Sequence, residues 1–227
     1  MPNVNSAMTN QINSSSFFQR YAFWFLLLAA ALLRSIPIIS LPFNWLESYF
    51  HEISHGLAAL ITGGSIVKIE LFPNGAGLCT TIGGSRFFTS FMGYTGAATW
   101  GAMLYSLASI NQKLTKAVSG ALLLLLICSC LLWVRDLLTL VILFLLMALL
   151  AVKIRWWQSK WFYYGMQLIG LTVLLNALFS PFYLIDGRNQ GDGATLASLT
   201  LMPEVVWVAI WVAIALALLY LLAKKQQ

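Results

Sequence analysis

The chain reads as a series of long apolar runs separated by short polar breaks. Residues 17–40 form the first run, with Arg34 and Pro37 near its far end. Residues 43–62 form the second, which stops at Gly63-Gly64, a pair suited to ending a helix. Residues 87–110 form the third. The stretch 117–152 is apolar except for Arg135-Asp136. As one helix it would far exceed a hydrocarbon core of about 30 Å at about 1.5 Å per residue. It is therefore expected to fold back at Arg135-Asp136 into two spans. Residues 161–184 and 204–222 complete seven spans, or six if one short segment is re-entrant. The runs lack the alternation of a membrane barrel. The expected fold class is an all-α polytopic membrane protein.

One stretch breaks the helical period. In 65–85, Val67, Ile69 and Leu71 alternate with Lys68 and Glu70, the pattern of a half-buried strand. Pro73-Asn74-Gly75 is a turn, and 78–82 is the expected returning strand. A bare backbone cannot face lipid, so this hairpin must lean on protein or line a wet cavity.

Composition agrees with the pattern. The chain is 60% hydrophobic and 9% charged, with mean hydropathy +0.83, which excludes a soluble domain. The net charge of +6 fits orientation signals and lipid headgroups, not nucleic acid. Lysines and arginines gather at Lys113/Lys116, at 153–160 and at Lys224-Lys225. The positive-inside rule puts all three clusters on the cytoplasmic face of a seven-span chain whose N-terminus is outside. Residues 1–16, rich in Asn and Ser, are expected to be a disordered tail, with no cleaved signal peptide. Residues 17–227 are expected to be a single membrane-embedded domain. Its three cysteines, Cys79, Cys128 and Cys130, supply neither a disulfide framework nor a Cys₄ zinc pattern. Two fall in an apolar run as packing residues.

The chemistry concentrates at His51-Glu52-Ile53-Ser54-His55, inside the second run. On a helix, histidines at i and i+4 share a face one turn apart and can hold one Zn²⁺, and the intervening glutamate can deprotonate the activated water. These are the only histidines in the chain. Ionisable groups within a membrane span are expensive and point to function. A catalytic zinc has three protein ligands and one open position. With no other His and no suitable Cys, the third ligand must be one of seven carboxylates. Glu52 is the base, Asp136 sits at a turn beside Arg135, and Glu47, Glu70 and Glu204 are expected at element ends. That leaves Asp186 and Asp192, each followed by glycine.

These features together resemble the site-2 protease family of intramembrane zinc metallopeptidases. The resemblance rests on His51–His55 in a span, the hairpin after it, Gly93-Tyr94-Thr95-Gly96 in the next span, and a late Asp-Gly element at 184–200. It covers about 43–105 and 170–205. More narrowly, it is to the short, mostly bacterial members that lack a large soluble domain. The family's Asn…Pro…Leu-Asp-Gly pattern has an echo, more loosely spaced, in Asn176, Pro181 and Leu184-Ile185-Asp186-Gly187. The stretch Asp192-Gly193-Ala194-Thr195-Leu196-Ala197, leading to Pro203 and Trp207, resembles the aspartate motif of the short members. These two matches point to different aspartates, and Asp192 is favoured over Asp186.

The resemblance implies one zinc per chain on His51, His55 and that aspartate. It implies Glu52 as general base, and Asn176 as a residue that steadies substrate or oxyanion. It further implies cleavage of a membrane protein or peptide in the inner membrane of a bacterium. The hairpin offers an edge to which an unwound substrate could add as a strand. The alternative is an inactive relative that binds or escorts membrane proteins. A transporter would show repeated halves, and none is visible. The Gly93, Ala97, Gly101 stripe is expected to pack helices closely.

Overall fold

The computed structural model describes residues 20–156 and 158–226; the expected disordered tail at 1–16 lies outside them. Helix α1 covers Arg20–Arg34 and α2 Pro37–Ile61, with a bend of 105° between them. A hairpin of β1 (Ser65–Leu71) and β2 (Gly77–Ile82) follows. Then come α3 (Arg86–Ala108), α4 (Gln112–Leu132), α5 (Leu137–Arg155) and α6 (Lys160–Phe179). A 3₁₀ turn, Ser180–Leu184, a short α7 (Asp192–Thr200) and α8 (Glu204–Lys224) end the chain.

The chain is an integral membrane protein. Among the described residues, α4, α5, α6 with its 3₁₀ extension, and α8 are the four helices long and apolar enough to cross a membrane, or five if the bent α1–α2 pair counts as one span. Seven were expected, or six with one short segment re-entrant. Helix α3 falls short of that measure because glycine, alanine, serine and threonine fill much of it. The first boundary also moves. Residues 37–40 belong to α2, because Pro37 lacks an N–H and restricts Ile36 to extended backbone, which places the break at Ser35-Ile36 and Pro37 at the start of the next helix.

Side-chain caps mark the starts of four further helices. Ser85, Asn111, Asp136 and Ser159 each accept a backbone N–H from the first turn of α3, α4, α5 and α6. Arg135 and Asp136 divide the labour at the expected fold-back. Arg135 donates to the carbonyls of Val134 and Leu132 at the negative end of α4, and Asp136 accepts from Thr139 N, 2.8 Å away, at the positive end of α5.

Helix α3 is the central post, packed on α2, α6, α7 and α8. Its crossing with α6 is tight. A Cβ on Gly101 would stand 2.6 Å from Leu174 N, and one on Gly170 would stand 2.5 Å from Tyr105 N. The hairpin is antiparallel, pairing Ile69 with Cys79 and Leu71 with Gly77. An irregularity between Ile66 and Lys68 shifts the register, so Ile66 joins Ile69 and Leu71 inside while Val67 turns outward. That differs from the expected face of Val67, Ile69 and Leu71. The outer edge of β1 is covered: Ile69 N donates to Trp133 O at 3.0 Å and Leu71 N to Thr139 Oγ1 at 2.9 Å. Strand β2 has only β1 as a strand partner. The hairpin tip is tied to α2, where Trp45 Nε1 donates to Phe72 O at 3.0 Å and Ser48 Oγ to Gly75 O.

Candidate metal centre

Helix α2 carries His51, Glu52 and His55 on its inner side, with Glu52 and His55 buried. The two Nε2 atoms lie 2.9 Å apart. His55 Nδ1 donates to Thr89 O on α3 at 2.7 Å. A carbonyl can only accept, so the proton sits on Nδ1 and the Nε2 lone pair faces inward.

Asp192 completes the cluster from the far end of the chain. Its Oδ2 lies 3.2 Å from His51 Nε2 and 3.2 Å from His55 Nε2. Gly191 makes this possible with φ +91, a left-handed turn that favours glycine and delivers Asp192 as the first residue of α7. Leu196 of α7 is fully buried in a second apolar cluster with Tyr94, Leu184, Trp207, Val208 and Trp211, which clamps α7 to α3 and α8. Burial alone would raise the Asp192 carboxyl, but the two imidazoles outweigh it and hold the group below the usual carboxylate range. His51, His55 and Asp192 form a three-residue group with ligand atoms all within 4.8 Å, able to hold a metal ion.

Asp186 lies elsewhere. It is exposed in the loop before α7, takes the Arg188 N–H at 2.8 Å, and is paired with the Arg188 guanidinium, which holds its carboxyl below the usual range. Asn176 is buried on α6, and its amide donates to Asn44 Oδ1 on α2 at 2.9 Å. It is not among the residues lining the cavities at the histidines.

Glu52 accepts a backbone N–H from Cys79 on β2. Its carboxylate lies over Gly77, where a Cβ would stand 2.7 Å from Oε1. Burial pushes the Cys79 thiol up to about 12, with Glu52 adding to the shift, so it stays a neutral packing group. Two cavities meet here, of about 400 and 630 Å³, and both are lined by His51, Glu52, Gly77 and Tyr183.

Sequence reasoning missed several partners. Glu47 is not at an element end: it is buried within α2, one turn before His51, and accepts from Ser180 Oγ at 3.0 Å. Tyr94 packs edge-on to His51 with ring centroids 4.4 Å apart. Gly93, read as part of a packing stripe, lies against both imidazoles, while Gly101 on that stripe faces α6. The Gly-Tyr pair at 93–94 was the available signal.

A family model described as Peptidase M50B-like matches residues 23–222. No curated protein and no solved structure matches the chain significantly.

Proposed function

The chain belongs to the Peptidase M50B-like family, and from that premise we propose that it is an intramembrane zinc endopeptidase of site-2 protease type. The observation that carries this reading is the approach of His51, His55 and Asp192 within 3.2 Å of one another beside the buried Glu52. Ligand atoms held tetrahedrally at about 2.0–2.1 Å from zinc stand about 3.3 Å apart. The observed spacings of 2.9 and 3.2 Å are close to that edge. Two neutral imidazoles and one carboxylate suit zinc.

In this reading His51, His55 and Asp192 would hold the zinc ion, which would supply Lewis-acid chemistry toward water and the scissile carbonyl. Glu52 takes a proton from the attacking water as its oxygen bonds to the carbonyl carbon. It then gives that proton to the amine nitrogen as the C–N bond breaks. The Cys79 N–H and Gly77 hold Glu52 in line for both transfers. The Thr89 carbonyl fixes the His55 tautomer. An extended substrate segment adds to the edge of β2 that has no strand partner, beside the Cys79 N–H held by Glu52, which exposes peptide bonds that a helix would hide. Asn176 enters as a substrate-steadying residue only through the family resemblance; its bond to Asn44 supports a second role in holding α6 to α2. We count α1, α2 and α3 as further embedded helices, giving seven with the hairpin at the boundary. The likeness to short bacterial members supports an inner-membrane location and a membrane protein or peptide as substrate.

The test uses purified protein in proteoliposomes with a panel of fluorogenic single-span peptides. Wild type should release fluorescence. Glu52→Gln should retain metal and fall by roughly 10²–10⁴-fold. Cleavage by Glu52→Gln at the wild-type rate would overturn the mechanism. Metal-loaded wild type that captures peptides without cutting them would transfer the reading to an escort protein.

A further inference from the structure

A separate cavity of about 860 Å³ lies where α3 and α8 end and α4 and α6 begin. Along α3, Gly93 touches the histidines and Ser106 lines this cavity, about 20 Å away at about 1.5 Å per residue. Its size is in the range of small-molecule sites.

The lining is one-sided in charge. It includes Lys160 and Lys225, and no lining residue is acidic. It also includes Asn111 and Gln112 at the start of α4, and Lys160 itself starts α6. Both helices therefore turn the positive ends of their dipoles toward it. The carbonyls that end α3 and α8 are engaged: Ser109 O accepts from the Tyr163 hydroxyl at 2.7 Å, Ala108 O from Thr115 Oγ1 at 3.0 Å, and Leu222 O from Gln226 Nε2 at 3.3 Å. Gln167 adds an independent sign. It lines the cavity, is only 3% exposed, and its Nε2 has no hydrogen-bond partner. A buried amide donor left unmatched is costly, and a ligand oxygen would satisfy it.

Two cations, two helix N-termini and a buried unmatched donor call for an anion with several acceptor oxygens. We propose that this cavity binds a phosphate group of net negative charge, as carried by an anionic phospholipid headgroup or by free phosphate, and disfavours the zwitterionic headgroup of phosphatidylcholine, whose choline cation would meet the two lysines. Its place at the ends of the apolar helices puts it within reach of membrane headgroups.

Native mass spectrometry of the delipidated full chain tests this with phosphatidylglycerol, phosphatidylcholine and inorganic phosphate. Phosphatidylglycerol should be retained at least about tenfold better than phosphatidylcholine. Lys160 and Lys225 are exposed, so the double variant Lys160→Gln/Lys225→Gln should fold normally. It should weaken phosphatidylglycerol binding roughly 30-fold. Gln167→Leu keeps the charge and should weaken binding severalfold. Displacement of the lipid by millimolar phosphate assigns the cavity to phosphate groups in general; resistance to it assigns the cavity to the lipid headgroup. Equal retention of both lipids would overturn the proposal. So would an equal loss in Lys113→Gln/Lys116→Gln, whose lysines do not line the cavity, since that describes a diffuse basic surface.

Discussion

Gly93 of α3 lies against the imidazole of His55: a Cβ at position 93 would stand 2.4 Å from His55 Cε1 and 2.6 Å from Nε2. The same Cβ would stand 2.7 Å from His51 Cε1, so one hydrogen atom in place of a methyl group admits both rings. Gly93→Ala should push the imidazoles out of register. Displacements of about 1 Å at a reacting centre cost on the order of 10²-fold in rate. Activity should fall by that order, and zinc affinity should fall with it, as read by dialysis against a graded chelator. Unchanged affinity would separate position 93 from the metal.

Gly77 offers the contrasting case. Its missing side chain makes room for Glu52 rather than for the histidines, with a Cβ there 2.6 Å from Glu52 Cγ. Gly77→Ala should keep full zinc content and lower peptide cleavage by about tenfold or more, because proton transfer needs hydrogen-bond geometry. A simultaneous loss of zinc would show that the strand supports the metal ligands as well.

Thr139 joins the hairpin to the α4–α5 turn. Its N–H donates to Asp136 Oδ1 at 2.8 Å, and its Oγ1 accepts the Leu71 N–H at 2.9 Å. Thr139→Val keeps the shape and removes that acceptor from a buried N–H. The expected loss is about 1–3 kcal/mol, seen as a lower unfolding midpoint in detergent. Asp136→Ala removes the cap of α5 and should cost about 1 kcal/mol. An unchanged midpoint in Thr139→Val would mean that water or a shifted strand replaces the lost bond.

Much of this arrangement is legible in the residue order, because its determinants are local. The histidine spacing, the Arg135-Asp136 break and the Pro73-Asn74-Gly75 turn each act within a few residues of themselves. What was hidden depends on distant contacts. Ile66 and Val67 are both apolar, so nothing in their order reveals the bulge that sends one in and the other out. The break before Pro37 lies inside a run with no polar gap wide enough to mark it. Asp186 and Asp192 carry the same Asp-Gly signature. They are told apart by the φ of Gly191 and by Leu196 docking among Trp207, Val208 and Trp211, which brings only Asp192 to the histidines.

Zinc content of the purified protein, compared among wild type, Asp192→Ala and Asp186→Ala, tests the centre most directly. The arrangement predicts about one zinc per chain in wild type and in Asp186→Ala, and a loss of zinc in Asp192→Ala. Full zinc in Asp192→Ala, or loss in Asp186→Ala alone, would contradict it.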